Sequence, residues 1–121
     1  QEVVFLSVSY ENECHYCVPA HTFMAEEFSG VPQKVIEYIR NGEYGDDSKL
    51  MELSRFTRAV TKDRGEIPKE LLKNFFDAGY NESSVIGVIT GVAVKTMSNY
   101  FNKMAETPLD AMFANRKWSP K

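Results

Sequence analysis

Both cysteines and both histidines of the chain fall in the stretch E-N-E-C-H-Y-C-V-P-A-H that begins at Glu11, crowded into the eight positions from Cys14 to His21. On a helix each residue advances about 100°, so with Cys14 as zero Cys17 lies near 300° and His21 near 340°, roughly 60° of arc for all three. Residues three and four apart on a helix touch, so the spacing predicts two sulfurs and one imidazole on a single stripe. Pro19 sharpens the reading. Proline is tolerated in the first turn of a helix, where its missing N–H has no partner to lose. The helix is therefore expected to start near His15 or Tyr16, with Cys17 in its first turn. Unpaired backbone N–H groups and the positive end of the helix dipole favour a thiolate there. His21, one turn on, can hold or pass a proton. A thiolate attacks an electrophile, and a second sulfur within reach closes a disulfide. The chemistry expected is that of a dithiol redox site.

Three other readings compete. Structural zinc would take C-x-x-C and a histidine, but such sites want four ligands, and the only other histidine, His15, lies between the cysteines. A static disulfide would close a tiny loop and constrain little of the unfolded chain. Coincidence among core cysteines is the third, and His21 on the same stripe counts against it.

The elements that must position these residues are helical almost throughout. Residues 2 to 12 carry Val3, Val4, Phe5, Leu6 and Val8 and are assigned to a helix. The cysteine helix is expected to run from about Tyr16 to Phe28 and to end at Ser29-Gly30. Pro32 opens a short helix that Asn41-Gly42 stops. Asp46 or Asp47 is expected to cap a longer one that ends at Gly65, and Pro68 starts another, closed by Gly79. Asn81 caps the last, about Glu82 to Ala105. Its first half, with Val85, Ile86, Val88, Ile89, Val92 and Val94, is apolar nearly all round, which predicts burial on every side. Gly87 and Gly91, one turn apart, mark a place for close approach of another backbone or simply relieve crowding. Thr107-Pro108 breaks this helix. Tyr100 and Asn99 are expected to be packing and capping groups, and Trp118 to cover a hydrophobic edge or a subunit contact.

The 121 residues are 43% hydrophobic, enough for one all-α domain of five or six helices over residues 1–114 with a tail at 115–121. Fifteen aromatics and five methionines are many for this size, and a helix apolar on every face predicts a homo-oligomer in which a partner subunit supplies cover. A net charge of −3 argues against a nucleic-acid partner, and the lack of any 18-residue apolar run argues against a membrane span. The chain opens with Gln1 rather than Met, which predicts a processed terminus or a fragment. Two cysteines three apart suit a reducing compartment, so a cytoplasmic location is expected.

The run from Glu2 to His21 resembles the signature of the AhpD-like alkylhydroperoxidases of the carboxymuconolactone decarboxylase superfamily: a glutamate, eleven residues, then C-x-x-C-x-x-x-H. Glu2, Cys14, Cys17 and His21 stand at the matching positions. The stretch Val94 to Asp110 is similar to the closing helix of the family's peroxidase-related branch. The resemblance implies an AhpD-like helical bundle, usually a dimer, trimer or hexamer, that reduces hydroperoxides. It implies Cys17 as the peroxidatic sulfur, Cys14 as the resolving one, and Glu2 and His21 as the proton relay. By itself, a glutamate near a helix start needs no role beyond meeting the dipole. The reductant implied is a dithiol, a lipoyl group or a thioredoxin-like protein, with no metal or organic cofactor. Tyr16 stands where better-studied members carry a histidine, which predicts a shorter relay. Members commonly carry one or two helices ahead of this motif. Two further readings stand beside the peroxidase: a non-enzymatic redox sensor using the same dithiol, and lactone decarboxylation, which uses no C-x-x-C pair.

Overall fold

A computed structural model describes residues 1–120. Six α-helices, α1 (Glu2–Glu11), α2 (Cys17–Glu27), α3 (Gln33–Asn41), α4 (Lys49–Lys62), α5 (Lys69–Asp77) and α6 (Glu82–Ala105), are followed by a 3₁₀ turn, Ala111–Arg116. No strand is present among the described residues, in agreement with the all-α expectation, and no helix there is long and apolar enough to cross a membrane.

Local signals set the helix ends. Gly42 takes the left-handed conformation after α3 (φ 72°), which glycine adopts without a Cβ clash. Pro32 and Pro68 stand immediately before α3 and α5. Asn81 caps α6 in a reciprocal box, its side chain accepting from the Ser84 amide and the Ser84 hydroxyl accepting from its own. The cap of α4 differs from expectation. Ser48, not Asp46 or Asp47, accepts the Met51 amide. Asp46 acts one step earlier, its carboxylate accepting from the Ser48 amide at 3.0 Å. Hydrogen bonding from Ser48, its side chain first and its amide second, with Lys34 adding to it, holds the Asp46 carboxyl down at about 2.

The helix enclosed on all sides is α1, not α6. It packs against α2, α3, α4 and α6 and buries Glu2, Val3, Leu6, Ser7, Val8 and Ser9. Its serines allow close packing and are satisfied across the interfaces. Ser7 bonds Ser54 of α4 at 2.7 Å, and Ser9 accepts from Asn99 of α6 at 3.1 Å. One core lies between α1, α2, α3 and α4, around Leu6, Val18, Ile36, Ile39 and Met51. The other holds Phe56, Phe75 and Val88, with Phe75 stacked between Phe56 and Tyr80. Trp118 belongs to the first core and donates its Nε1–H to the Arg40 carbonyl at 2.8 Å. The expected polar tail is thereby tied to the domain.

Helix α6 buries only Val88, Gly91 and Asn99 fully. Ile86, Ile89, Val94, Met97, Phe101 and Met104 are exposed and share an arc of roughly 140° at 100° per residue. The expectation of burial on every side therefore fails for the single chain. Both faces of α6 are apolar, but α1 and α4 cover only one. Its glycines also differ from each other. A Cβ on Gly91 would stand 2.7 Å from the Val4 Cγ1 methyl of α1, whereas one on Gly87 would meet nothing within 4 Å. Gly91→Ala is expected to cost about 1–3 kcal/mol by forcing apart two helices against a stiff β-branched side chain. Gly87→Ala should instead stabilise by about 0.5–1 kcal/mol through helix propensity. Chemical denaturation of the two variants checks the difference in sign.

Candidate functional site

The turn after α1 delivers the cysteines. Asn12 caps α1, and its side-chain amide donates to Thr96 and Asn99 of α6. Glu13 takes a left-handed φ of 52°, reversing the chain toward α2. Cys14 follows, off the helix, its amide bonded to the Ser9 carbonyl. The single helical stripe expected for Cys14, Cys17 and His21 is therefore not formed, because Cys14 belongs to the turn and only Cys17 and His21 to α2. The two sulfurs meet nonetheless. Cys14 and Cys17 form a disulfide with their Cα atoms 5.2 Å apart, within the usual range for a bridge. Both are buried.

Cys17 is the first residue of α2, as Pro19 at the third position predicts. Its amide donates to the Cys14 sulfur at 3.2 Å, in the manner of a capping acceptor. A second donor comes from far along the chain. The Asn102 amide nitrogen lies 3.7 Å from the Cys17 sulfur. Thr107 donates its hydroxyl to Asn102 Oδ1 at 2.7 Å, which turns the NH₂ end toward the sulfur. Each sulfur thus accepts one N–H, Cys14 from the Cys17 amide and Cys17 from Asn102.

Glu2, His21 and Lys95 form a second group. His21 Nδ1 lies 2.7 Å from Glu2 Oε2, and Lys95 Nζ lies 2.6 Å from His21 Nε2. A carboxylate only accepts and an ammonium only donates. The imidazole between them therefore carries its proton on Nδ1 and accepts at Nε2. Glu2 sits in the first turn of α1, where backbone N–H groups favour a carboxylate. Phe5, one turn along, walls the group: the His21 ring packs on it at 5.3 Å, and the Lys95 ammonium stands 5.4 Å from its centroid. Burial pushes the Lys95 amine below its ordinary value, against an opposing pull from Glu2.

That shift carries a sign. A lysine with a lowered native pKa binds fewer protons folded than unfolded over the interval up to 10.5, so stability rises with pH there. Below pH 10.5 Lys95 should add an upward slope to the denaturation midpoints measured against pH, and Lys95→Met should remove that part of the slope.

The four residues singled out from the sequence thus come together in two pairs, Cys14 with Cys17 and Glu2 with His21. Among the described residues no hydrogen bond joins His21 to either sulfur; its two nitrogens are taken by Glu2 and Lys95. Tyr16 donates to Asp110 at 2.8 Å, and that bond raises its pKa. His15 lies in the turn between α1 and α2 and rests edge-on against Trp118. Lys95, Asn102 and Thr107 were missed. A lone lysine following the apolar stretch Val92-Ala93-Val94 was a signal for the first. Asn102, one turn beyond Asn99 on the inner face of α6, was a weaker one for the second.

Compared with protein-family models, the chain matches none, and compared with curated proteins it has no significant match.

Proposed function

We propose that the chain is a dithiol–disulfide oxidoreductase of the AhpD-like type that reduces hydroperoxides, Cys17 being the attacking sulfur and Cys14 the resolving one. The observation that carries the reading is the bond between these two cysteines at the first turn of a helix. In the reaction the Cys17 thiolate attacks the outer oxygen of R–O–O–H. The O–O bond breaks, Cys17 becomes a sulfenic acid, and the alkoxide takes a proton to leave as an alcohol. The Cys14 thiolate then attacks the sulfenic sulfur, expelling hydroxide, which leaves as water. An external dithiol, a lipoyl group or a thioredoxin-like protein, returns two electrons to the pair. Glu2 and His21 manage the protons, and no metal or organic cofactor enters. The site works in the cytoplasm, where a cysteine pair of this kind is kept in redox exchange.

The functional unit is a homo-oligomer. Support comes from α6, whose outward face is as apolar as its inward one, a larger patch than a soluble monomer ordinarily leaves bare.

A second reading is favoured by one specific observation. Both nitrogens of His21 are engaged away from the sulfurs in the disulfide state, which suits a redox switch, or plain dithiol exchange, as well as a peroxidase. Steady-state peroxide consumption with dihydrolipoamide as reductant separates them. A peroxidase turns over many times per chain, whereas a switch oxidises once and stops. A single turnover sinks the peroxidase.

A further inference from the structure

We propose that the reductant attacks Cys14, so that the mixed disulfide forms on Cys14 and Cys17 departs as the thiolate. The inference rests on the dithiol reading above and assigns the two sulfurs their parts in the reductive half of its cycle.

A nucleophile opens a disulfide by approaching one sulfur from the side opposite the other, and which sulfur is attacked depends on access and on how well the other leaves. Access favours Cys14. A groove of about 400 Å³ opens beside the bridge. Cys14, Asn102 and Thr107 are among the residues that line it, and Cys17 is not. A thiolate seated there meets the Cys14 end of the bond. Cys14 also lies in the turn between α1 and α2, whereas the backbone of Cys17 is fixed in α2. Both cysteines are buried, so attack at Cys14 requires the Glu13–Tyr16 turn, held by the Cys14 amide on Ser9 and by Tyr16 on Asp110, to shift.

Leaving ability favours Cys17. As the bond breaks, negative charge develops on the departing sulfur. Cys17 occupies the first turn of α2, where the dipole favours an anion, and the amide of Asn102, oriented by Thr107, already faces its sulfur. A better-stabilised thiolate leaves faster. Cys14 accepts the Cys17 backbone amide at 3.2 Å but has no side-chain donor among the described residues, and it lies off the helix.

The electrons balance as follows. The reductant's thiolate forms a bond to the Cys14 sulfur, and the Cys14–Cys17 bond breaks with its electron pair passing to Cys17. The reductant's second thiolate then attacks its own sulfur within the mixed disulfide and releases Cys14 as a thiolate. The external dithiol is oxidised to its disulfide, and the protein pair gains two electrons and takes up two protons from solvent.

The test exposes the oxidised full-length chain to 2-mercaptoethanol, which has only one thiol. Acid quenches the reaction within seconds, and N-ethylmaleimide blocks free thiols. Chymotrypsin cleaves after Tyr16 and separates the two cysteines for mass spectrometry. The expected result is the mercaptoethanol adduct on Cys14 and maleimide on Cys17, favoured by roughly tenfold over the reverse. An adduct chiefly on Cys17, or equal amounts on both, overturns the assignment while leaving the redox reading intact. A bridge that resists excess thiol overturns the redox reading and this inference with it. In a second arm, Asn102→Ala, checked for unchanged helicity, should be reduced about tenfold more slowly, with the same deficit at every pH, because the sulfur departs as a thiolate throughout and an amide does not titrate. A rate equal to wild type at every pH removes Asn102 from the mechanism.

Discussion

Replacing Cys17 with serine is expected to abolish hydroperoxide consumption, by roughly a thousandfold or more, because the chain offers no other thiol placed to replace it as nucleophile. Cys14 cannot substitute: it lies in a turn off the helix, and no side-chain amide faces its sulfur. Replacing Cys14 with serine should do something different. The first half-reaction survives, the sulfenic acid on Cys17 finds no resolving partner, and it persists long enough to be captured by dimedone. The pair of variants therefore separates attack from resolution. Stopped-flow peroxide consumption gives the first readout and mass spectrometry of the dimedone adduct the second. If Cys17→Ser retains full activity, or if Cys14→Ser treated with peroxide forms no dimedone adduct, the roles assigned to the two sulfurs are wrong. Because serine is close in size to cysteine, neither change creates a large void in the packed turn, and loss of the fold is a poor explanation for loss of activity.

The second large effect concerns assembly. Wild-type chain at micromolar concentration should sediment as a dimer, trimer or hexamer, and the double variant Met97→Asp/Phe101→Asp as a monomer with unchanged helicity. Both residues are 69% exposed in the single chain, so the substitutions remove little internal packing. In an assembled face each would forfeit about 1.5–3 kcal/mol of apolar burial and would bring in a carboxylate whose desolvation costs several kcal/mol more. Such penalties repeat at each symmetric copy. A wild type that stays monomeric at high concentration sinks the oligomer proposal, and the exposed face of α6 then requires another explanation.

These expectations came from the sequence to different degrees. The helices and most of their ends were legible because helix starts and stops are local. Pro19, Pro32 and Pro68 can stand only at or just before a first turn, Gly42 supplies a left-handed stop, and Asn81 carries its own capping partner three residues on. Asp46 misled for the same reason. Aspartate and serine both cap well, and the two-residue offset between them was decided by a turn in which Asp46 holds the Ser48 amide. Cys14, Cys17 and His21 were legible from type and spacing; Glu2 was singled out only by the resemblance, since a glutamate near a helix start otherwise needs no role beyond meeting the dipole.

What spacing could not supply was the path of the chain. Cys14 was expected on the helix because three-residue spacing fits a helix. A turn at Glu13 brings it to Cys17 equally well. Lys95 and Asn102 lie 74 and 85 residues from their partners in the site, and no periodicity links positions so far apart. The identity of the central helix was hidden by length: α6 is more than twice as long, but α1, apolar all round, is the one enclosed, and its serines let neighbouring helices approach. The sequence by itself determined where helices begin and end and which side chains are chemically able. Tertiary packing alone decided which face of α6 turned inward, and with that choice it set a lysine against His21 and an amide against Cys17. The physical reason is that capping and periodicity act over one or two turns, whereas the choice between two equally apolar faces depends on the shapes of the helices they meet.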